Sequence, residues 1–442
     1  MAAKAQQKKI VYIPMCVDIL HSGHLNIIKQ GQKLGEVVVG LLTDEAVASK
    51  KRLPFMDYEQ RFAVISNVKG VDRVIPQTTS DYRPNLRVLK PDYVVHGDDW
   101  NEAGLRRHGK QQVLDVIAEW GGQLVELKYT EGISSTALHK KLKAAGVTPE
   151  ARLARLQRLL NAKQTIRVLE AHNGLSALIV ENTHFKNKHG QVEQFDAIWV
   201  SSLTDSTAKG KPDTELIDRT SRLSTINEIL EVTTKSIMVD GDTGGHTEHF
   251  THTVRTLERL GVSAIVIEDK NGLKRNSLHD HPEDHTQEDA EIFASKIKAG
   301  IDVRVNDKFM IIARIESLIL GKGQKDALAR AEVYLKAGAS AIMIHSKDRS
   351  GDDIKEFAEA YNKFENRMPL MMVPTSYNSV REQELSEWGA NIVVYANHLL
   401  RAAYPAMERV AEAILENQRA LEADQLCSPI EQFLKMIPDF QG

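Results

Sequence analysis

From Thr165 to Tyr395 short apolar runs alternate with longer amphipathic stretches, and this alternation constrains the fold more than any other feature of the chain. The runs have the length of buried strands and are too short for helices. Candidate strands are Ala177–Val180, Ala197–Val200, Ile237–Val239, Ala264–Ile267, Met310–Arg314, Ala341–Ile344, Leu370–Val373 and Asn391–Tyr395. Strands that are apolar on both faces and separated by helices belong to parallel sheets. Eight of them in succession fit a (β/α)8 barrel, an α/β fold whose active sites form at the C-terminal ends of the strands.

The first third repeats the pattern on a smaller scale. Lys9–Ile13, Val37–Leu42, Arg73–Pro76, Tyr93–His96 and Gln123–Leu127 read as strands, and Gly23–Leu34, Tyr58–Val68 and Arg107–Trp120 as helices. That order predicts a parallel, doubly wound sheet. Lys140–Gln164 is rich in Ala, Lys, Arg and Leu and reads as an amphipathic helix. The expected division is a sheet unit over 1–145, a linker helix over 146–165 and a barrel with C-terminal helices over 166–442. A chain of 442 residues has room for both units, since a barrel takes about 250 residues.

Bulk properties exclude several classes. Net charge is −3, so no basic field argues for nucleic acid or membrane binding. Cys16 and Cys427 are the only cysteines, which argues against a disulfide framework and fits a reducing cytoplasm. The N-terminal MAAKAQQKK lacks the apolar core of a signal peptide, and no apolar run is long enough to span a bilayer.

The first candidate site is Asp18-Ile-Leu-His21-Ser-Gly-His24, after the first strand and at the start of the first helix. Free N–H groups at a helix start attract an anion, and Gly23 permits close approach. Two imidazoles three residues apart can donate to a triphosphate and stabilise charge developing on an attacked phosphoryl group. Such a transfer needs positioning and electrostatics and no protein nucleophile. Gly132-Ile-Ser134-Ser135-Thr136 opens another predicted helix and offers hydroxyls and backbone donors to phosphates. His21-Ser-Gly-His24, Arg61 in Tyr-Glu-Gln-Arg, His96-Gly-Asp98-Asp-Trp100 and Thr130-Glu-Gly-Ile-Ser-Ser-Thr136 together resemble the cytidylyltransferases of the glycerol-3-phosphate type, over nearly all of residues 9–142. The resemblance implies that His21 and His24 are catalytic. Nucleotide binding would fall to Asp18, Lys50, Lys51, Arg61, Asp98, Ser134, Ser135 and Thr136. CTP would be the substrate, with magnesium, and the products a CMP ester and pyrophosphate. Met15-Cys16 and Tyr129 stand where that family usually has Gly-Thr and arginine. A binding or scaffolding unit without turnover is the alternative.

The second candidate site is a set of charged residues following barrel strands. Asp240 and Asp242 end one strand, and Glu268-Asp-Lys270 ends the next. Carboxylates so placed can meet one hard cation, directly or through water. Arg314 offers a fork for a carboxylate or phosphoryl group, and His345 ends the following strand. Glu170-Ala-His-Asn-Gly-Leu-Ser-Ala177, the lid-like Glu268-Asp-Lys270 with Asn276-Ser277, and Ala396-Asn-His-Leu-Leu-Arg401 resemble phosphoenolpyruvate mutase of the isocitrate lyase superfamily. The resemblance implies that Asp240, Asp242 and Glu268 organise Mg2+. It places Trp199, Ser201, Leu203 and Ser277 at the substrate, and gives catalytic roles to Asp213, Lys274, Asn276, Arg314 and His345.

The implied reaction interconverts phosphoenolpyruvate and phosphonopyruvate, with a downstream phosphonopyruvate decarboxylase as pathway partner. The sheet unit would transfer CMP to a phosphonate acceptor such as 2-hydroxyethylphosphonate or 2-aminoethylphosphonate. A phosphonopyruvate hydrolase or a carbon–carbon lyase is the alternative for the barrel. The lyases carry a lid cysteine that is missing between Cys16 and Cys427, and Asn276 favours mutase over hydrolase. Barrels of this superfamily commonly form homo-oligomers by exchanging a C-terminal helix, for which Pro405–Asn417 and Pro429–Met436 could serve. His279, His281 and His285 read as a solvated loop and not a zinc site.

Overall fold

The computed structural model describes residues 8–49, 52–97, 105–128, 147–187, 192–272, 274, 276, 277 and 286–437. Lys50, Lys51, Asp98, Ser134, Ser135, Thr136 and the histidines at 279, 281 and 285 lie outside the described residues.

The first unit is a five-stranded parallel sheet of β1 (Ile10–Met15), β2 (Glu36–Leu42), β3 (Arg73–Gln77), β4 (Tyr93–Gly97) and β5 (Gln123–Leu127), in the order β3-β2-β1-β4-β5. Chain direction across the sheet reverses between β1 and β4, which places a crevice beyond their C-terminal ends. His21 and His24 follow β1 into that crevice on the helix Ser22–Gln32.

The second unit is a closed parallel barrel. Its strands are β6 (Ile166–Glu170), β9 (Ala197–Val200), β10 (Ser236–Asp240), β11 (Ala264–Glu268), β14 (Met310–Ile315), β15 (Ala341–Ile344), β16 (Leu370–Met372) and β17 (Ile392–Tyr395), with β17 pairing back to β6. Two small hairpins stand apart from it, β7 (His184–Lys186) with β8 (Val192–Gln194) and β12 (Lys270–Asn271) with β13 (Thr286–Gln287).

The first barrel strand is not the predicted one. Ala177–Val180 lies inside the helix Gly174–Asn182, and Ile166–Glu170 is the strand instead. A reciprocal cap explains the outcome: the Asn173 side chain accepts from the Ser176 N–H, while Ser176 Oγ accepts from the Asn173 N–H. Two otherwise orphaned donors are satisfied there, which starts a helix in spite of the apolar run.

The helix Pro149–Ala162 closes the N-terminal end of the barrel. Its Leu156 and Leu159 pack with Val168, Met238, Ala264, Met310, Met371 and Ile392 in the barrel interior. Ala48 and Leu53 of the first unit join the same cluster. The sheet unit is thus seated on the base of the barrel, away from the strand ends that carry the acids. Arg52–Glu181 and Arg158–Asp44 ion pairs, 3.0 and 2.9 Å, flank the apolar contact. Replacing the fully buried Leu156 by alanine is expected to cost about 2–5 kcal/mol. The denaturant midpoint measures it; an unchanged midpoint would mean that this helix does not seal the core. The helix His398–Asn417 is amphipathic and leaves Tyr404, Met407 and Leu415 exposed. Among the described residues, no helix is long and apolar enough to cross a membrane.

Candidate active sites

At the sheet crevice, β1 turns into its helix through Val17, which has a φ of 53°. A β-branched residue rarely adopts that conformation, and such strain gathers at functional sites. Asp18 follows, buried, and its Oδ1 accepts from the N–H groups of Phe55 at 2.6 Å and Met56 at 3.4 Å. The two imidazoles face each other with ring centroids 4.0 Å apart. His21 Nδ1 accepts from the Gly23 N–H, and His24 Nδ1 from the His21 N–H. With Nδ1 of each ring accepting, a neutral imidazole carries its proton on Nε2. Both rings therefore hold an N–H donor on the side away from the helix start, and burial lowers the His21 pKa towards that neutral form.

Arg61 departs from its expected role. It is fully buried and donates to the carbonyls of Cys16, Leu42 and Met56 and to Asp44 Oδ1. Its guanidinium ties the ends of β1 and β2 to the segment before its own helix. A group so enclosed does not face a ligand, so its assignment to nucleotide binding is corrected to a structural one. Asp18 Oδ1 likewise engages the 55–56 backbone, which gives this side chain a part in positioning the turn.

The barrel site gathers residues from the C-terminal ends of most strands. One cavity is lined by Trp199, Ser201, Leu203, Asp213, Asp240, Lys274, Asn276, Ser277, Arg314 and His345, all expected from the sequence. Thr375, Asn397, Ser202, Met343, Val373 and Ala396 complete the wall. Thr375 and Asn397 were not among the expected residues, although both stand just beyond predicted strands.

Lys274 is the hub. Its ammonium is 2.6 Å from Asp242 Oδ1, 3.3 Å from Asp240 Oδ2 and 3.7 Å from Asp213 Oδ1, and it also donates to Ser202 Oγ. Burial alone would lower its pKa, but the surrounding acids, Asp240 first, raise it strongly, so it stays charged. Asp240 also accepts from Ser202 Oγ at 2.8 Å. Against the effect of burial, Lys274, Arg314 and Arg222 hold its carboxyl well below the usual carboxylate range. Asp242 has a φ of 54°, and Gly244 and Gly245 follow at 78° and 65°, so the chain turns back sharply over the strand end. Arg222, which the sequence did not single out, donates to Asp242 Oδ2 and to the Asp240 carbonyl, both at 2.9 Å. Asn276 Nδ2 donates to Asp213 Oδ2 at 3.1 Å.

Arg314 organises the opposite wall. It donates to Glu316 Oε1 at 2.5 Å and Ser277 Oγ at 2.7 Å, and its Nη2 lies 3.0 Å from His345 Nδ1. Arginine only donates, so His345 Nδ1 accepts and its neutral ring carries the proton on Nε2. Burial, then Arg314, lowers the His345 pKa and favours that neutral form. Glu268 lies 3.3 Å from Arg314 Nη1, yet neither of its buried oxygens accepts a hydrogen bond. Burial pushes its pKa up to about 7.

Among the described residues, no three acidic, histidine or cysteine side chains come together as a ready-made metal cage. The expectation that Asp240, Asp242 and Glu268 organise a magnesium ion allowed for contacts made through water. The donor set still fits a hard, water-rich cation. Asp240 and Asp242 already converge on one positive charge, that of Lys274, and Glu268 presents buried oxygens with no hydrogen bond. Magnesium takes one or two carboxylates and keeps several waters.

A closed parallel barrel with an acid-lined mouth and a buried lysine and arginine at its strand ends is the architecture of a barrel enzyme. Residues 156–415 match the family model described as phosphoenolpyruvate phosphomutase, and the chain belongs to that family. Residues 13–141 match a cytidylyltransferase-like model. The phosphoenolpyruvate phosphomutase of Tetrahymena pyriformis is 36% identical over 284 residues, covering 64% of this chain and 89% of that protein. The crystal structure of phosphoenolpyruvate phosphomutase from Streptomyces platensis subsp. rosaceus is 34% identical with a TM-score of 0.58, over 64% of this chain and 94% of that one. A phosphonopyruvate hydrolase solved with oxalate and Mg++ is 29% identical with a TM-score of 0.56, over 66% and 95%.

Proposed function

We propose that this chain is a bifunctional enzyme of phosphonate biosynthesis, divided into a cytidylyltransferase unit (1–145), a linker helix (146–165) and a mutase barrel (166–442). The observation that carries the mutase reading is the buried position of Lys274, with Asn276 and Ser277 beside it, over the strand-end acids and Arg314. That packing keeps water from a phosphoryl group in transit, and a mutase must do so where a hydrolase must not.

In the barrel, the phosphoryl group of phosphoenolpyruvate leaves the enol oxygen and bonds to the methylene carbon, giving phosphonopyruvate. The O–P bond breaks, the C–P bond forms, and no proton is gained or lost. Ser201 and the nearby backbone would bind the substrate carboxylate against Trp199 and Leu203. The Arg314 fork and His345 Nε2–H would hold the phosphoryl oxygens while charge is spread over them. Asp213, Lys274 and Asn276 would cover the reacting centre. Asp240, Asp242 and Glu268 would hold magnesium, which supplies Lewis-acid stabilisation of the enolate oxygen; the hydrolase relative with Mg++ and oxalate supports this choice.

In the sheet unit, the paired Nε2–H donors of His21 and His24 would bind the CTP triphosphate and stabilise transfer of CMP to a phosphonate, releasing pyrophosphate. The acceptor would be 2-hydroxyethylphosphonate, 2-aminoethylphosphonate or a close analogue. Phosphorus NMR of phosphonopyruvate with enzyme and magnesium is expected to show phosphoenolpyruvate, and chelation with EDTA to abolish the conversion. Inorganic phosphate as the sole product would replace the mutase reading with a hydrolase. Pyrophosphate release from CTP across a phosphonate panel tests the sheet unit; no release with any acceptor would favour the scaffolding alternative.

A further inference from the structure

The segment Pro54–Met56 is gripped from two sides by different units of the chain. Arg158, on the helix that closes the barrel, donates to the carbonyls of Phe55 at 3.0 Å, Pro54 at 3.2 Å and Met56 at 3.3 Å. The same guanidinium donates to Asp44 Oδ2 through Nε at 3.2 Å and Nη2 at 2.9 Å. On the other side, Asp18 Oδ1 takes the N–H groups of Phe55 and Met56. Asp18 stands three residues before His21, in the turn that includes the strained Val17. Arg158 falls in the stretch that matches the mutase family, whereas all its partners fall in the cytidylyltransferase-like match.

We infer that Arg158 is a positioning residue for the nucleotide site, so that the first unit's activity is completed by the linker helix that closes the barrel. This rests on the nucleotidyltransferase reading above. Arg158 fixes the carbonyl side of the 54–56 segment, the segment fixes Asp18, and Asp18 sets the turn from which the two imidazoles project. A planar fork reaches three carbonyls and a carboxylate at once; a lysine ammonium on a flexible stem does not reproduce that geometry. Arg158 is absent from the wall of the barrel cavity, so its replacement leaves the contacts of that cavity in place.

The test uses the full chain as wild type, R158M and R158K. Pyrophosphate release from CTP, with 2-aminoethylphosphonate and 2-hydroxyethylphosphonate as acceptors, gives kcat and the KM for CTP. The mutase rate is followed by phosphorus NMR on the same preparations. A displaced catalytic group costs about tenfold to a hundredfold in rate, so R158M is expected to lose that much kcat/KM for CTP. R158K is expected to recover only part, and both variants to keep wild-type mutase rates. Wild-type nucleotidyl kinetics in R158M overturn the inference, as does a parallel fall of both activities, which marks general loss of fold. Where methionine disturbs folding, R158K decides alone: a kcat/KM equal to wild type overturns it. A wild-type chain that releases no pyrophosphate with any acceptor overturns the nucleotidyltransferase reading itself, and this inference with it.

Discussion

Replacing Arg314 by methionine is expected to lower the mutase rate by about a thousandfold and to destabilise the barrel by about 3–5 kcal/mol. Two separate functions of one side chain give the two effects. The catalytic loss follows from removal of the fork that would hold the phosphoryl group. The stability loss follows from the two carboxylates left behind. Glu316 is fully buried, and against the effect of burial Arg314 holds its carboxyl well below the ordinary range. Glu268, pushed up to about 7 by burial, loses an ion partner at 3.3 Å. Breaking a buried pair from one side is costly because the remaining charge has no water to turn to. R314K is expected to restore more of the stability than of the rate, since it returns the charge without the fork. Urea unfolding and phosphorus NMR measure the two quantities. A variant of full stability would mean that Lys270, 3.1 Å from Glu316 and 3.6 Å from Glu268, is counter-charge enough for both carboxylates.

Lys274→Met is expected to lower the mutase rate by about a hundredfold to a thousandfold, and at the same time to tighten magnesium binding to the substrate-free enzyme. The second effect runs against the usual consequence of a damaged site. The ammonium stands 2.6 and 3.3 Å from Asp242 and Asp240, so it shares those carboxylates with any cation that binds there. Methionine removes the competitor and leaves Arg222 as the remaining cation beside Asp242, so the acids carry more net negative charge, which favours a divalent ion. Titration calorimetry with magnesium alone reads the binding. Weaker or unchanged magnesium affinity would show that the lysine and the metal do not share these acids.

Much of the barrel was legible because its strands are short apolar runs with clear stops. Ala197–Val200 and Ala341–Ile344 coincide with the observed strands residue for residue. Ala177–Val180 was not legible, because four apolar residues carry no periodicity that separates strand from helix. The Asn173–Ser176 cap decided the matter, and Arg167 interrupts the true strand, Ile166–Glu170. Within the site, Asp240, Asp242, Glu268, Arg314 and His345 could be read from their place at strand ends, whereas Thr375 and Asn397, also just beyond strands, were not singled out. Arg222 could not, because it sits within the helix Arg219–Val232 and only tertiary packing brings it to Asp242. Arg61 shows the converse. A motif gives its place in the chain but not the direction of its side chain, and here that direction is inward.

The seating of the first unit on the barrel base has a further consequence for traffic. The interior beneath the acids is packed solid with Met238, Met310, Met343 and Met371, and Leu156 stoppers its lower end. Among the described residues, that packing leaves no passage along the barrel axis from the mouth to the first unit. On the proposed function, a product of the mouth would reach the nucleotide crevice by another way than the barrel axis. Physical linkage would then keep the two proposed activities in equal number without a conduit through the barrel to join them.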